Sequence, residues 1–125
     1  NSGSLEIAGN TFTNNSILNT GNRSHLIFFG TLNASRLIYN NTFSGNILNS
    51  NRAIYVNSNS KGGIFNNTFH NSGGIYKYTN TISIMNNLML GASGETSTGG
   101  ITASGKGLSN IARNVIGNNF YVSGI

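Results

Sequence analysis

A six-residue frame recurs five times along the chain: IAGNTF from Ile7, IYNNTF from Ile38, IFNNTF from Ile64, IMNNLM from Ile84 and IARNVI from Ile111. Its fourth position is always Asn, at Asn10, Asn41, Asn67, Asn87 and Asn114, and successive anchors lie 31, 26, 20 and 27 residues apart. Three places before each anchor stands Ile7, Ile38, Ile64, Ile84 or Ile111, and two places after it stands Phe12, Phe43, Phe69, Met89 or Ile116. A period of about 20 to 50 residues marks stacked architectures, in which one repeat cannot bury its own apolar face and needs a neighbour on either side. The repeat therefore dictates the fold.

Asn, Gly, Ser and Thr dominate the polar positions and are weak helix formers, while the apolar residues come in short β-branched or aromatic clusters. A second cluster follows each frame: HLIFF from His25, AIYV from Ala53, GIYKY from Gly74, GITA from Gly100 and FYV from Phe120. Two or three short strands per turn, Asn/Gly/Ser-rich corners and one loop of variable length predict an all-β, single-stranded parallel β-helix. This solenoid of five coils occupies residues 1–125 as one segment. With coils about 4.8 Å apart, the anchors Asn10, Asn41, Asn67, Asn87 and Asn114 form a structural Asn ladder, each amide bonding the ones above and below it. The flanking Ile and Phe/Met/Ile positions point inward, each fully buried member contributing about 1.5 to 3 kcal/mol.

Composition removes most chemistry. Cysteine is absent, which excludes disulfides and thiolate metal sites. Asp is missing as well, and the two acids, Glu6 and Glu95, fall in the first and fourth coils. Three coil steps put them roughly 14 Å apart, beyond the about 5.5 Å of a retaining pair or the about 9.5 Å limit of an inverting one. His25 and His70 stand 15 and 3 residues after their anchors and read as solvated side chains, not catalytic bases. No catalytic residue, cofactor site or metal site is expected, and the chain does not read as an enzyme.

The net charge of +5 comes from basic residues scattered singly between Arg23 and Arg113. Without a concentrated basic stripe, nucleic acid is not an expected partner. No apolar run approaches the roughly 18 residues of a membrane span, and no leader is visible, so membrane insertion is not expected. The missing initiator Met predicts a processed product or an excised segment of something larger. SGKG around Lys106 and GASGETSTGG from Gly91 lack the Gly-Lys-Ser/Thr spacing and the following helix of a phosphate loop, and read as solenoid corners. Five Asn-x-Ser/Thr sequons begin at Asn14, Asn22, Asn33, Asn40 and Asn66, a number that so Asn-rich a chain produces by chance.

Strand alternation in the second clusters points Ile27, Ile54, Ile75, Ile101 and Phe120 inward and Phe28, Tyr55, Tyr76, Thr102 and Tyr121 outward. Phe28, Tyr55, Tyr76 and Tyr121 thus form a candidate ligand or interface strip, with cross-strand stacking as the competing structural role. The same register sends Lys77 inward.

FTNN at Phe12 and FSGN at Phe43, with GGIF at Gly62, GGIY at Gly73 and GGIT at Gly99, resemble right-handed parallel β-helix repeats of surface proteins. The likeness is to chlamydial polymorphic outer-membrane proteins and methanogen adhesin-like proteins, and phage tailspike β-helices are also similar. The last two coils depart from the pattern, with Leu88 and Val115 in place of Thr after the anchor. The resemblance implies a non-enzymatic structural or adhesive segment of a surface protein or fibre, extracellular or at a cell or virion surface. Alternatives are a fragment of a tailspike-like polysaccharide depolymerase and a self-assembling fibre subunit. Expected partners are flanking coils or further copies of the chain, and surface carbohydrate. NSGSLEIAGN and NNFYVSGI carry no capping helix, which leaves coil edges open to stacking.

Overall fold

A computed structural model describes residues 3–18, 25–30, 35–48, 52–57, 61–78, 81–90, 100–103 and 111–117. The first repeat supplies β1 (Ser4–Ala8), β2 (Thr11–Thr13) and β3 (Ile27–Phe29), and the second β4 (Ser35–Tyr39), β5 (Thr42–Ser44) and β6 (Ile54–Val56). The third supplies β7 (Lys61–Phe65), β8 (Thr68–His70) and β9 (Ile75–Lys77), and the fourth β10 (Ile82–Met85), β11 (Leu88–Leu90) and β12 (Ile101–Ala103). β13 (Ile111–Ala112) and β14 (Val115–Gly117) open the fifth. Every regular element among the described residues is a strand.

The strands form three sheets, ordered β1-β4-β7-β10-β13, β2-β5-β8-β11-β14 and β3-β6-β9-β12. Each of the first four repeats adds one strand to each sheet, the fifth adds β13 and β14 to the first two among the described residues, and every pairing is parallel. The chain is therefore all-β, with an arrangement compatible with a parallel β-helix. The register superposes like on like: Ile7, Ile38, Ile64, Ile84 and Ile111 align in the first sheet. Phe12, Phe43, Phe69 and Met89 align in the second. Unequal loops do not disturb this, because the frame, not the loop, makes the ladder bonds.

Alternation puts those files in the core, where Ile38, Ile64, Ile84, Phe43 and Phe69 are inaccessible to solvent. Strand spacing also sets the aromatic packing: the Phe12 and Phe43 rings lie 4.8 Å apart and Phe43 and Phe69 4.7 Å, each pair 4° from parallel. Ile27, Ile54, Ile75 and Ile101 make the third inward file.

Between the first and second sheets the chain turns at one left-handed residue placed just before each anchor Asn. These are Gly9 (φ 67°), Asn40 (54°), Asn66 (53°), Asn86 (55°) and Arg113 (56°). A second left-handed corner, at Asn14, Gly45 and Asn71, ends the second-sheet strands. Gly and Asn tolerate this conformation and other residues pay a Cβ clash with the neighbouring carbonyl. The sequon residues Asn14, Asn40 and Asn66 are thus exposed corner residues, while Asn22 and Asn33 lie outside the described residues. Arg113 is the exception to the corner chemistry. Arg113→Asn is expected to raise stability by about 0.5 to 1 kcal/mol, read as an upward shift of the urea midpoint with an unchanged slope.

Two cations enter the interior. Lys77 aligns with Phe29 and Val56 on the inward side of the third sheet and is fully buried, and that burial lowers its pKa to about 8. Arg36 shares the parity of Ile38, and its guanidinium carbon lies 5.2 Å from the centre of the Phe29 ring. Its register partner is Gly62 (φ 117°), where a Cβ would overlap the Arg36 backbone carbonyl. At Gly74, likewise, a Cβ would overlap the carbonyl of Gly100. The Gly-Gly elements are therefore places of close backbone approach.

Candidate functional site

The anchor asparagines form a directed column. Asn10 donates to Asn41 Oδ1 from its backbone N–H at 2.9 Å and from Nδ2 at 3.2 Å. Asn41 repeats both bonds to Asn67 Oδ1 at 3.0 Å, and Asn67 repeats them to Asn87 Oδ1 at 3.0 Å. Asn87 completes the series on Asn114 Oδ1, at 3.0 and 2.9 Å. Each Nδ2 also reaches back one repeat to a carbonyl: Asn41 to Ile7, Asn67 to Ile38, Asn87 to Ile64 and Asn114 to Ile84. Asn41, Asn67 and Asn87 are buried. The amide supplies donor and acceptor on one short stem, which satisfies corner backbone groups that no strand pairing reaches. These side chains are fully engaged by the fold itself.

A second column, five residues further on, escapes the hexapeptide frame. Asn15 donates to Asn46 Oδ1 from its backbone N–H at 3.0 Å and from Nδ2 at 2.9 Å. Asn46, also buried, donates to the Phe12 carbonyl at 2.9 Å and to the Ser72 hydroxyl at 3.0 Å. The signal for it was the Phe-x-x-Asn spacing of FTNN and FSGN, whose final Asn is the column member. In the third repeat the same position reads Ser72, in FHNS.

On the outer face of the third sheet, Phe28, Tyr55 and Tyr76 align as alternation requires, and Tyr121 lies outside the described residues. Tyr55 and Tyr76 stack at 4.6 Å and 13°, and Phe28 approaches Tyr55 at 5.4 Å and 30°. His25 joins them, 4.5 Å from Tyr55 and 6.0 Å from Phe28. Expected to be solvated, His25 is instead half-buried: its ring lies on the aromatic column and Nδ1 accepts the Arg52 backbone N–H at 3.0 Å. Burial lowers the Arg52 pKa, opposed by the nearby Tyr55 and Tyr76. Since rings stacked at strand spacing cover one another's faces, the column turns its edges to solvent. Tyr55 has His25 on one side and Tyr76 on the other.

Glu6 sits exposed on β1, where its carboxylate accepts the Tyr39 hydroxyl, and this bond raises the Tyr39 pKa. Glu95 lies outside the described residues, as do Lys106 and the Gly91 segment. His70 is exposed at the end of β8. Among the described residues no group of three His, Cys, Asp or Glu side chains is placed to hold a metal ion, and no helix is long and apolar enough to cross a membrane.

Comparison with known protein families, characterised proteins and solved structures yields no significant match to this chain.

Proposed function

We propose that the chain is a single-stranded parallel β-helix segment with a structural or adhesive role, part of an extracellular surface protein or fibre. The observation that carries this reading is the pairing of strand order with side-chain use. Each of the first four repeats adds one strand to each of three parallel sheets, and the anchor Asn common to all five repeats makes bonds between neighbouring repeats. A framework of this kind supplies length and rigidity without setting aside side chains for chemistry. Surface likeness at the level of FTNN, FSGN and GGIY adds location to the reading. On the outer aromatic column the displayed ring edges and hydroxyls suit a protein contact better than a stacked sugar.

The test is catalytic. Incubation of the chain with neutral and acidic polysaccharides is expected to release neither new reducing ends nor unsaturated products. Turnover that disappears in Glu6→Gln or Glu95→Gln would assign the chain to the depolymerase class instead.

A further inference from the structure

We propose that the outer face of the first sheet carries a saccharide site, in which a neutral pyranose ring stacks on Phe65 and its hydroxyls bond to Glu6, Lys61 and Ser83. The inference rests on the adhesive reading and gives it a place and a ligand class.

Phe65 departs from the packing of the other rings. Elsewhere among the described residues aromatic register partners pack on one another: Phe12 on Phe43 at 4.8 Å, Phe43 on Phe69 at 4.7 Å, Tyr55 on Tyr76 at 4.6 Å and, tilted, Phe28 on Tyr55 at 5.4 Å. Tyr39 and Phe65 are also register partners, but these two make no ring contact. The Tyr39 hydroxyl is drawn one repeat back, to the Glu6 carboxylate, and Phe65 folds back along its own strand. A Cβ at Gly63 would overlap Cζ, Cε1 and Cε2 of the Phe65 ring. The ring therefore lies down over the Gly63 backbone, and Gly63 is buried beneath it although alternation turns that position outward. A ring laid over a strand glycine shields the backbone, and it turns its second face away from the sheet. Phe65 is accordingly half-buried, not covered.

The groups around that face suit a sugar. Glu6, Leu37, Gly63 and Ser83 form one outward file, so the ring over Gly63 has Leu37, itself 37% exposed, on one side and Ser83 on the other. Glu6 stands exposed beyond Leu37, and Lys61, also exposed, lies two residues before Gly63 on the same face. From Glu6 to Ser83 is three strand steps, roughly 14 Å, the reach of a short oligosaccharide. The centre is apolar and flat, and the rim carries a carboxylate, an ammonium and a hydroxyl.

A pyranose with equatorial hydroxyls has the matching shape. Its axial C–H bonds make an apolar face that packs on the electron-rich face of an aromatic ring, and its hydroxyls project sideways towards the rim. Glu6 accepts from them, Lys61 donates to them, and Ser83 does either. One acid and one base leave the site without net charge, which favours a neutral saccharide over an acidic one. A β-linked glucan segment meets all of these conditions.

Cellohexaose is the probe, titrated into the protein and followed by calorimetry and by saturation transfer from aromatic ring protons. The expected result is binding, with transfer to the axial sugar protons, and an affinity lowered at least about tenfold by Phe65→Leu. Leu keeps an apolar cover on Gly63 and removes only the ring face. Glu6→Gln, at an exposed position, should weaken binding about threefold or more without touching the ring. Leu90→Ala, at an exposed position of the second sheet, should leave it unchanged.

Absence of binding to the parent chain, an affinity unmoved by both Phe65→Leu and Glu6→Gln, or a loss confined to Tyr76→Leu, which would move the sugar to the third sheet, would overturn the site. Tighter binding of oligogalacturonate than of cellohexaose would overturn it as well, by assigning an acidic ligand. Failure of the site separates from failure of the adhesive reading in the recovered probe. Cellohexaose recovered intact and unbound rejects the site alone, and cellohexaose shortened during incubation rejects the non-enzymatic reading beneath it.

Discussion

Raising the pH from about 7 to about 10 should stabilise the chain by up to about 3 kcal/mol, and Lys77→Met should abolish that gain. Lys77 is fully buried, and desolvation brings its pKa from 10.5 down to about 8. Below pH 8 both folded and unfolded chains carry the proton, so the cost of a buried charge is present in full and stability does not change with pH on this account. Between about 8 and 10.5 the unfolded chain binds more protons than the folded one, and stability rises with pH. At about 1.4 kcal/mol per pH unit, that interval sets the size of the effect. Tyr39 works in the opposite sense, since its pKa is raised in the folded state, so the measurement should stop near pH 10, before phenol ionisation dominates. Urea titrations of both chains at several pH values read the result. A parent chain with a flat profile across this window would mean that Lys77 is not held in an apolar interior.

The second large effect is expected at the centre of the ladder. Asn67→Ala removes bonds in two directions: Asn67 Oδ1 accepts two N–H groups of Asn41, and Asn67 Nδ2 donates to the Ile38 carbonyl and to Asn87 Oδ1. The groups left behind are buried, and each unsatisfied one costs about 1 to 3 kcal/mol. A total loss of about 3 to 5 kcal/mol follows, at the upper end of what single substitutions do. Asn10→Ala, at the exposed end of the column, should cost much less, and Ser35→Ala on the surface of β4 should stay within about 0.5 kcal/mol. Chemical denaturation of the three variants side by side decides the order. Equal midpoints for Asn67→Ala and Ser35→Ala would remove the ladder from any account of stability.

Much of this architecture is written locally. The Ile and Phe of the frame point inward because strand alternation and the constant offset from Asn leave no other parity, and the same reasoning turned Lys77 into the core against its hydrophobicity. Sequence also carried the second column, in the Asn of FTNN and FSGN, but the single count from the first anchor hid it: Asn46 lies five residues after Asn41, and its third-repeat counterpart is Ser72, a different residue type whose hydroxyl accepts from Asn46 Nδ2. His25 was not legible, since its burial depends on Tyr55 and Arg52, which reach it only after a loop of a length unique to that repeat. The contact between Glu6 and Tyr39 is of the same kind, fixed by register across repeats and invisible to spacing along one. The close approach of the Arg36 backbone to Gly62, where a Cβ would overlap the Arg36 carbonyl, is a pairwise condition that neither residue states alone.

The central claim is that each anchor Asn is bonded to the anchor of the next repeat, and trans-hydrogen-bond scalar coupling in a doubly 15N,13C-labelled sample measures that directly. The account predicts cross-peaks from the backbone 15N of Asn10, Asn41, Asn67 and Asn87 to the side-chain carbonyl 13C of Asn41, Asn67, Asn87 and Asn114 respectively, with slow exchange of the donating amide protons. Fast-exchanging amides at Asn41 and Asn67 with no coupling to any side-chain carbonyl would contradict it.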